Sequence, residues 1–87
     1  MSMGERNSLS PSQCRAGRAL LNWSRSELAR LSKVSERTLA DFERGGSHPR
    51  RLTEDALIAT FERAGVYFVE DAEYGTGVFY NPSTEEN

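Results

Sequence analysis

The 87-residue sequence has one cysteine, one histidine and no apolar run near the roughly 20 residues that a membrane span needs. Cys14 alone cannot form an internal disulfide, and one Cys with one His makes no convincing metal cluster. We therefore expect no metal or other cofactor. The N-terminus lacks the basic-then-apolar pattern of a signal peptide, which predicts a cytoplasmic protein without membrane contact. This length supports one small domain.

Residues for catalysis are equally scarce. No Ser/His or Cys/His pair has support, and no glycine-rich phosphate loop follows a strand. The single histidine, His48, lies in an arginine-rich loop. We therefore expect no enzyme activity, and nothing indicates a small-molecule ligand.

Charge is unevenly distributed along the chain, although the net charge is only −2. Residues 15–51 carry nine Lys and Arg against four Asp and Glu, a balance of +5. Residues 52–87 carry one Arg against eight acids, a balance of −7. This asymmetry predicts that one face meets an anion while another faces away from it.

Four Ser or Thr residues precede apolar stretches with helical spacing, as N-cap residues do. Ser10 and Ser24 are each followed after three residues by Gln13 and Glu27, so both predict capping boxes. The pattern predicts four helices: Pro11 to about Leu21, about Arg25 to Ser32, Glu36 to about Arg44, and a last one from a cap at Thr53 to Gly65.

After Gly65 the apolar period changes to two, which predicts strands at Val66–Val69 and Val78–Tyr80. The expected fold is mainly α, with four helices followed by a short strand pair. The predicted organisation is a disordered N-terminus (residues 1–9), a helical domain (10–65), a β segment (66–81) and a disordered tail (82–87).

The β segment predicts dimerisation, because two strands alone are marginally stable and an apolar edge invites pairing with a second copy. The alternative is a hairpin within one protomer, folded over the fourth helix, and the two arrangements can be combined. The predicted dimer residues are Val66, Tyr67, Phe68, Val69, Val78, Phe79 and Tyr80.

Ser24 and Ser35 stand eleven residues apart, and each opens a short helix, which is the layout of a helix-turn-helix. From Ser10 to Val69 the chain resembles the phage repressor/Cro-like (XRE-type) family of bacterial transcriptional regulators, in the small form that ends in a β segment. The residues that carry the resemblance are Trp23-Ser24, Glu27-Leu28-Ala29, Val34-Ser35, Arg37-Thr38-Leu39 and Ala40-Asp41-Phe42-Glu43-Arg44-Gly45.

The resemblance implies that the third helix enters the major groove of double-stranded DNA through Ser35, Glu36, Arg37, Thr38 and Asp41. Arg37 is the expected base reader, because a guanidinium can bond guanine O6 and N7 together. Glu36 and Asp41 either accept from cytosine N4, orient Arg37 by a salt bridge, or are ordinary surface charges. The expected phosphate contacts, for which a surface role stays open, are Ser24, Arg25, Arg44, His48, Arg50 and Arg51.

Two further positions follow from the resemblance. Arg18 and Glu43 match a pair that links the first helix to the end of the third. Lys33 stands where relatives usually carry Gly, so a positive φ there would cost about 1 kcal/mol.

The leading functional interpretation is a homodimeric, sequence-specific DNA-binding regulator, a repressor acting on an inverted-repeat operator. One alternative is a protein-interaction module, such as an antitoxin or anti-activator, whose C-terminal strand binds a protein partner. Another is a DNA-binding accessory factor for excision or integration.

Overall fold

The computed structural model describes residues 9–46 and 48–85. Its elements are α1 (Pro11–Leu21), α2 (Arg25–Ser32), α3 (Glu36–Glu43), α4 (Arg51–Arg63), β1 (Val66–Asp71), β2 (Gly75–Tyr80) and α5 (Pro82–Glu85). Four helices followed by an antiparallel strand pair confirm the predicted fold class.

The serine caps lie where the sequence predicts them. The Ser10 hydroxyl accepts from the Gln13 amide at 3.0 Å, and the Gln13 side chain accepts from the Ser10 amide at 3.0 Å. The second capping box is half wrong. The Ser24 hydroxyl accepts from the Glu27 amide, but the Glu27 carboxylate takes two hydrogen bonds from Arg30 instead. A charged guanidinium one turn away is the stronger donor, so it replaces the backbone amide as partner.

The start of α4 differs from the prediction. Thr53 is not its cap: the helix begins at Arg51, and Arg50 precedes it without a side-chain cap bond. A tertiary contact explains the longer helix. The buried Glu54 carboxylate accepts the Leu9 backbone N–H at 2.6 Å, which holds this first turn against the residues that lead into α1.

The same contact corrects the N-terminal boundary, because Leu9 is a core residue rather than part of a disordered terminus. Its side chain is 1% exposed and packs in the central cluster. The predicted disorder of residues 1–8 lies outside the described residues. The cluster consists of Leu9, Cys14, Leu28, Leu39, Phe42, Leu57, Ile58, Phe61, Val66 and Phe68.

Phe61 of α4 is the centre of this core. It is fully buried, stacks on Trp23 at a centroid distance of 5.8 Å, and meets Phe68 edge-on at 5.1 Å. Gly17 of α1 lies against the same ring: a Cβ added there would be 2.8 Å from Phe61 Cε1. A residue without a side chain therefore sets how closely α1 approaches α4.

The two strands form a hairpin within the protomer, in register from Val66↔Tyr80 to Asp71↔Gly75. Both strands are longer than predicted, because the Asp71 carboxylate accepts the amides of Glu73 and Tyr74 and closes a tight turn. Pro82–Glu85 form one helical turn where a tail without regular structure was expected. Residues 86–87 lie outside the described residues.

The hairpin packs on α1 and α4, and one of its faces is used within the protomer. Val66 and Phe68, both predicted as dimer residues, are 0% and 6% exposed and belong to the core. Their side chains fill the space above α4, so we remove them from the candidate dimer surface. The opposite face carries Tyr67, Val69 and the exposed Phe79.

Candidate nucleic-acid interface

The turn between α2 and α3 fixes how α3 is presented. Lys33 ends α2 in the left-handed conformation, with φ 66° and ψ 20°, which confirms the strained backbone considered from the sequence. The Val34 amide donates to the Ser32 hydroxyl at 3.2 Å, and Ser35 then caps α3. Buried Leu28 and Leu39 anchor the two helices to the core. One face of α3 is therefore held inward and the other faces solvent.

The outward face of α3 contains the predicted base-reading residues. Ser35, Glu36, Arg37 and Thr38 are exposed, and Asp41 is half-buried one turn further on. Arg37 makes no hydrogen bond or ion pair with any residue that the structure describes. No described residue therefore occupies the donors of its guanidinium, which a ligand can use.

Hydrogen bonds within the first turn of α3 determine whether the Thr38 hydroxyl acts as an acceptor or as a donor. The Ser35 hydroxyl accepts from the Thr38 amide at 3.1 Å and donates to Thr38 Oγ1 at 2.9 Å. Thr38 Oγ1 is therefore used as an acceptor inside the protein. Its own hydrogen is not used in that bond, so Thr38 can donate it to a phosphate oxygen or an acceptor on a base.

Among the described residues, Glu36 and Asp41 bond to side chains other than that of Arg37. The Glu36 carboxylate accepts from Ser26 Oγ at 3.0 Å, which joins the first turns of α2 and α3. Asp41 forms an ion pair with Arg44, three residues on. Ser26 was missed in the sequence, and the only available signal was its position next to Arg25 at the start of α2.

A buried ion pair fixes the other end of α3, as the resemblance implied. Arg18 of α1 donates two hydrogen bonds to the Glu43 carboxylate, Nε at 2.9 Å and Nη2 at 2.7 Å. It also donates to the Trp23 carbonyl at 3.1 Å, while Arg15 donates to the Glu43 carbonyl. These bonds attach the last turn of α3 to α1, so α3 is held at both ends.

Burial and mutual contact shift the pKa values of the Arg18–Glu43 ion pair and of the neighbouring Cys14. Burial alone would raise the pKa of Glu43, but hydrogen bonds from Arg18 and Cys14 and the charge of Arg18 outweigh it, and the pKa is lowered. The bond to Glu43 raises the pKa of Arg18. Burial, followed by contact with Glu43, raises the pKa of the Cys14 thiol, so this cysteine stays protonated in the core.

The predicted phosphate contacts lie at the start of α2 and in the segment from α3 to α4, and all are exposed. Three of them have partners within the protein: Ser24 caps α2, Arg44 pairs with Asp41, and Arg51 lies 3.8 Å from Asp55. Within residues 9–46 and 48–85, the remaining members make no hydrogen bond or ion pair: Arg25, His48 and Arg50.

A helix-turn-helix family model matches residues 15–59, which is more than half of the chain. The chain belongs to the helix-turn-helix family. The matched family is the XRE/Cro-like one, so the match confirms the resemblance seen in the sequence. The protein is a DNA-binding transcriptional regulator. No curated protein matches the chain.

The match places the helix-turn-helix in structural terms. It runs from Arg15 in α1 to Ala59 in α4 and includes both Arg18 and Glu43, the ion pair that attaches α3 to α1. The hairpin lies outside the matched residues, so the family match says nothing about its role.

In the described part of the chain, no helix is long and apolar enough to cross a membrane. No group of three or more His, Cys, Asp or Glu among those residues is arranged to hold a metal ion.

Proposed function

We propose that the protein is a homodimeric repressor that binds an inverted-repeat operator, with α3 of each protomer in a major groove. The observation that carries the proposal is the exposed first turn of α3, where Arg37 has no partner in the described structure. An operator that overlaps a promoter would then be blocked by occupancy alone.

The residues divide into two groups by their chemistry. Arg37, Thr38 and Glu36 offer donors and an acceptor to base edges, and Arg37 is suited to the O6 and N7 atoms of guanine. Glu36 keeps one carboxylate oxygen that Ser26 does not occupy, and it can accept from cytosine N4. Asp41 is committed to Arg44 and is a weaker candidate for base contact.

Phosphate contact fits the residues that surround α3. Ser24 and Arg25 directly precede Ser26, whose hydroxyl donates to Glu36 in the first turn of α3. Arg44, His48, Arg50 and Arg51 follow its last turn along the chain. Such contacts carry affinity and salt dependence, but no sequence preference.

Dimerisation supports operator recognition, because two recognition helices related by a twofold axis read half-sites about 34 Å apart. The supporting surface is the outer face of the hairpin, where Phe79 remains 53% exposed in the protomer beside Tyr67 and Val69.

The test is a selection from random duplex DNA at about 150 mM salt, with wild type, Arg37→Ala and Arg50→Ala in parallel. Arg30→Ala is the matched control, because Arg30 is an exposed arginine of α2 that pairs with Glu27. We expect wild type and the control to enrich the same inverted repeat. Arg37→Ala should relax one base in each half-site and cost about 1–3 kcal/mol. Arg50→Ala should weaken binding to all sequences and flatten the salt dependence.

Identical behaviour of the two variants would contradict the division into base and phosphate contacts. Salt-sensitive binding without any enriched sequence would contradict the proposal as a whole. It would favour the alternative of a protein-interaction module, such as an antitoxin or anti-activator. Enrichment of a repeat that does not change transcription of a linked reporter would favour an accessory role in excision or integration.

A further inference from the structure

Gln13 of α1 is a buried polar side chain that contacts both strands of the hairpin. It is 3% exposed. Its Nε2 donates to the Gly77 carbonyl at 3.1 Å and to the Val69 carbonyl at 3.4 Å, and its Oε1 accepts the Ser10 amide at 3.0 Å. The reverse orientation of this side-chain amide would place its oxygen against two carbonyl oxygens, so the contacts fix its orientation. One side chain therefore joins the N-cap of α1 to β1 and β2.

The bonds from Gln13 reach the hairpin just beyond its buried half. Val66 and Phe68 of β1 are buried in the core, so they fix the base of the hairpin. The pair Val69↔Gly77 lies one step further toward the turn, and beyond this pair both strands are exposed. The attachment at Gln13 therefore bears on the tilt of the outer half of the hairpin relative to α1.

The same helix, α1, also holds α3. Arg18 donates two hydrogen bonds to the carboxylate of Glu43 in the last turn of α3, and Arg15 donates to the Glu43 carbonyl. Gln13 and Arg18 are about 8 Å apart along the axis of α1, because a helix rises about 1.5 Å per residue. The hairpin and α3 are therefore attached to one short, rigid element.

We propose that Gln13 is a positioning residue that sets the angle between the hairpin and α3, and thereby the spacing of the half-sites that the dimer binds. This inference rests on the homodimer of the proposed function, whose contact surface is the outer face of the hairpin. A change in the tilt of the hairpin moves the two copies of α3 relative to each other, because the twofold axis applies the change to each protomer. Each added base pair moves a half-site by about 3.4 Å along the DNA and rotates it by about 35°.

The chemistry of the side chain makes the proposal testable, because these bonds need one acceptor and one donor group on the same side chain. Glutamate has nearly the same shape and can accept the Ser10 amide, but it cannot donate and it brings a negative charge against two carbonyl oxygens. Methionine has a similar length and fills the space without a donor. Gln13→Glu and Gln13→Met therefore both remove the two bonds to the hairpin.

The test measures binding of the full chain to duplexes that carry both half-sites of the inverted repeat enriched by the wild type. The spacer between the half-sites is lengthened and shortened one base pair at a time. Ser10→Ala is the matched control. It removes the hydroxyl that accepts the Gln13 backbone amide at 3.0 Å in the same turn of α1, but it leaves both bonds to the hairpin. Far-UV circular dichroism checks that each variant is folded.

We expect the wild type and Ser10→Ala to bind the same spacer length best. In Gln13→Met and Gln13→Glu, the ratio of dissociation constants between neighbouring spacers and the best one should fall about fivefold or more, or another spacer should become the best. The base preference within each half-site should stay the same, because Arg18 still attaches α3 to α1. A merely structural role of Gln13 would weaken binding to all spacers equally.

An unchanged spacer preference in a folded Gln13 variant would overturn the proposal and leave the proposed function in place. An equal loss of preference in Ser10→Ala would also overturn it, because that variant keeps the bonds to the hairpin. A wild type that enriches no inverted repeat would overturn it together with the proposed homodimer.

Discussion

Substitution Arg18→Ala tests the central claim about how α3 is held. Arg18 neutralises Glu43, whose side chain is only 4% exposed, through two hydrogen bonds. Its removal leaves a buried carboxylate without its cation and also removes the bond to the Trp23 carbonyl. Breaking one partner of a buried pair costs about 3–5 kcal/mol. Arg18 itself is 20% exposed, so solvent screens the pair and we expect about 3 kcal/mol.

Urea unfolding followed by fluorescence of Trp23, the single tryptophan, measures this loss. For a domain of this size, about 3 kcal/mol lowers the melting temperature by about 12–24 °C. Arg30→Ala is the control, because its pair with Glu27 is exposed on the surface, and we expect it to unfold like wild type. If Arg18→Ala were as stable as Arg30→Ala, the Arg18–Glu43 ion pair would not be what holds the last turn of α3 on α1.

The pH dependence of the free energy of unfolding is an independent test of the Arg18–Glu43 ion pair. In the wild type the pKa of Glu43 is lowered, so the pair stabilises the fold above the unfolded value of about 4.3 and this stabilisation is lost as the pH falls further. In Arg18→Ala, burial is opposed only by the individually smaller effects of the Cys14 hydrogen bond and the charge of Arg25, so we expect the pKa of Glu43 to rise above that value. The deficit of the variant should therefore shrink between pH 7 and pH 5, and adding Glu43→Gln should recover part of it at pH 7. A deficit that does not change with pH would contradict a charge effect.

Two further predictions concern backbone and packing. Gly17→Ala should destabilise the fold by about 1 kcal/mol, because overpacking against the fully buried Phe61 outweighs the gain in helix propensity. Chemical denaturation measures the change in the free energy of unfolding. A stabilised variant would show that the ring can move aside. Lys33→Gly should stabilise the fold by about 0.5–1 kcal/mol, because φ is 66° at this residue. Asn22→Gly, at φ 59°, should stabilise the fold less, because Asn tolerates this conformation. Equal stabilisation by the two substitutions would contradict strain at Lys33.

Features that depend on neighbours within one helical turn were predictable. The caps Ser10, Ser24 and Ser35 lie at the start of their helices because a cap needs only a hydroxyl and an amide three residues on. The prediction at Thr53 was wrong because a cap is worth only about 1 kcal/mol. The contact between Glu54 and the Leu9 amide comes from the far end of the chain, and no local pattern shows it.

For the candidate site, the sequence located the exposed residues of α3 through their spacing from buried Leu39 and Phe42. It could not assign their partners. Glu36 had nearby cations available, yet it accepts from Ser26, because the angle between α2 and α3 decides which side chains meet.

The sequence by itself determined the helix-turn-helix, because caps, apolar spacing and glycine stops are short-range properties of the chain. It also determined the charge asymmetry between the two halves. Only the tertiary structure decided that Val66 and Phe68 fill the protomer core while Phe79 faces outward. A strand presents alternate residues to opposite faces, and which face is buried depends on the helices it packs against rather than on its own residues.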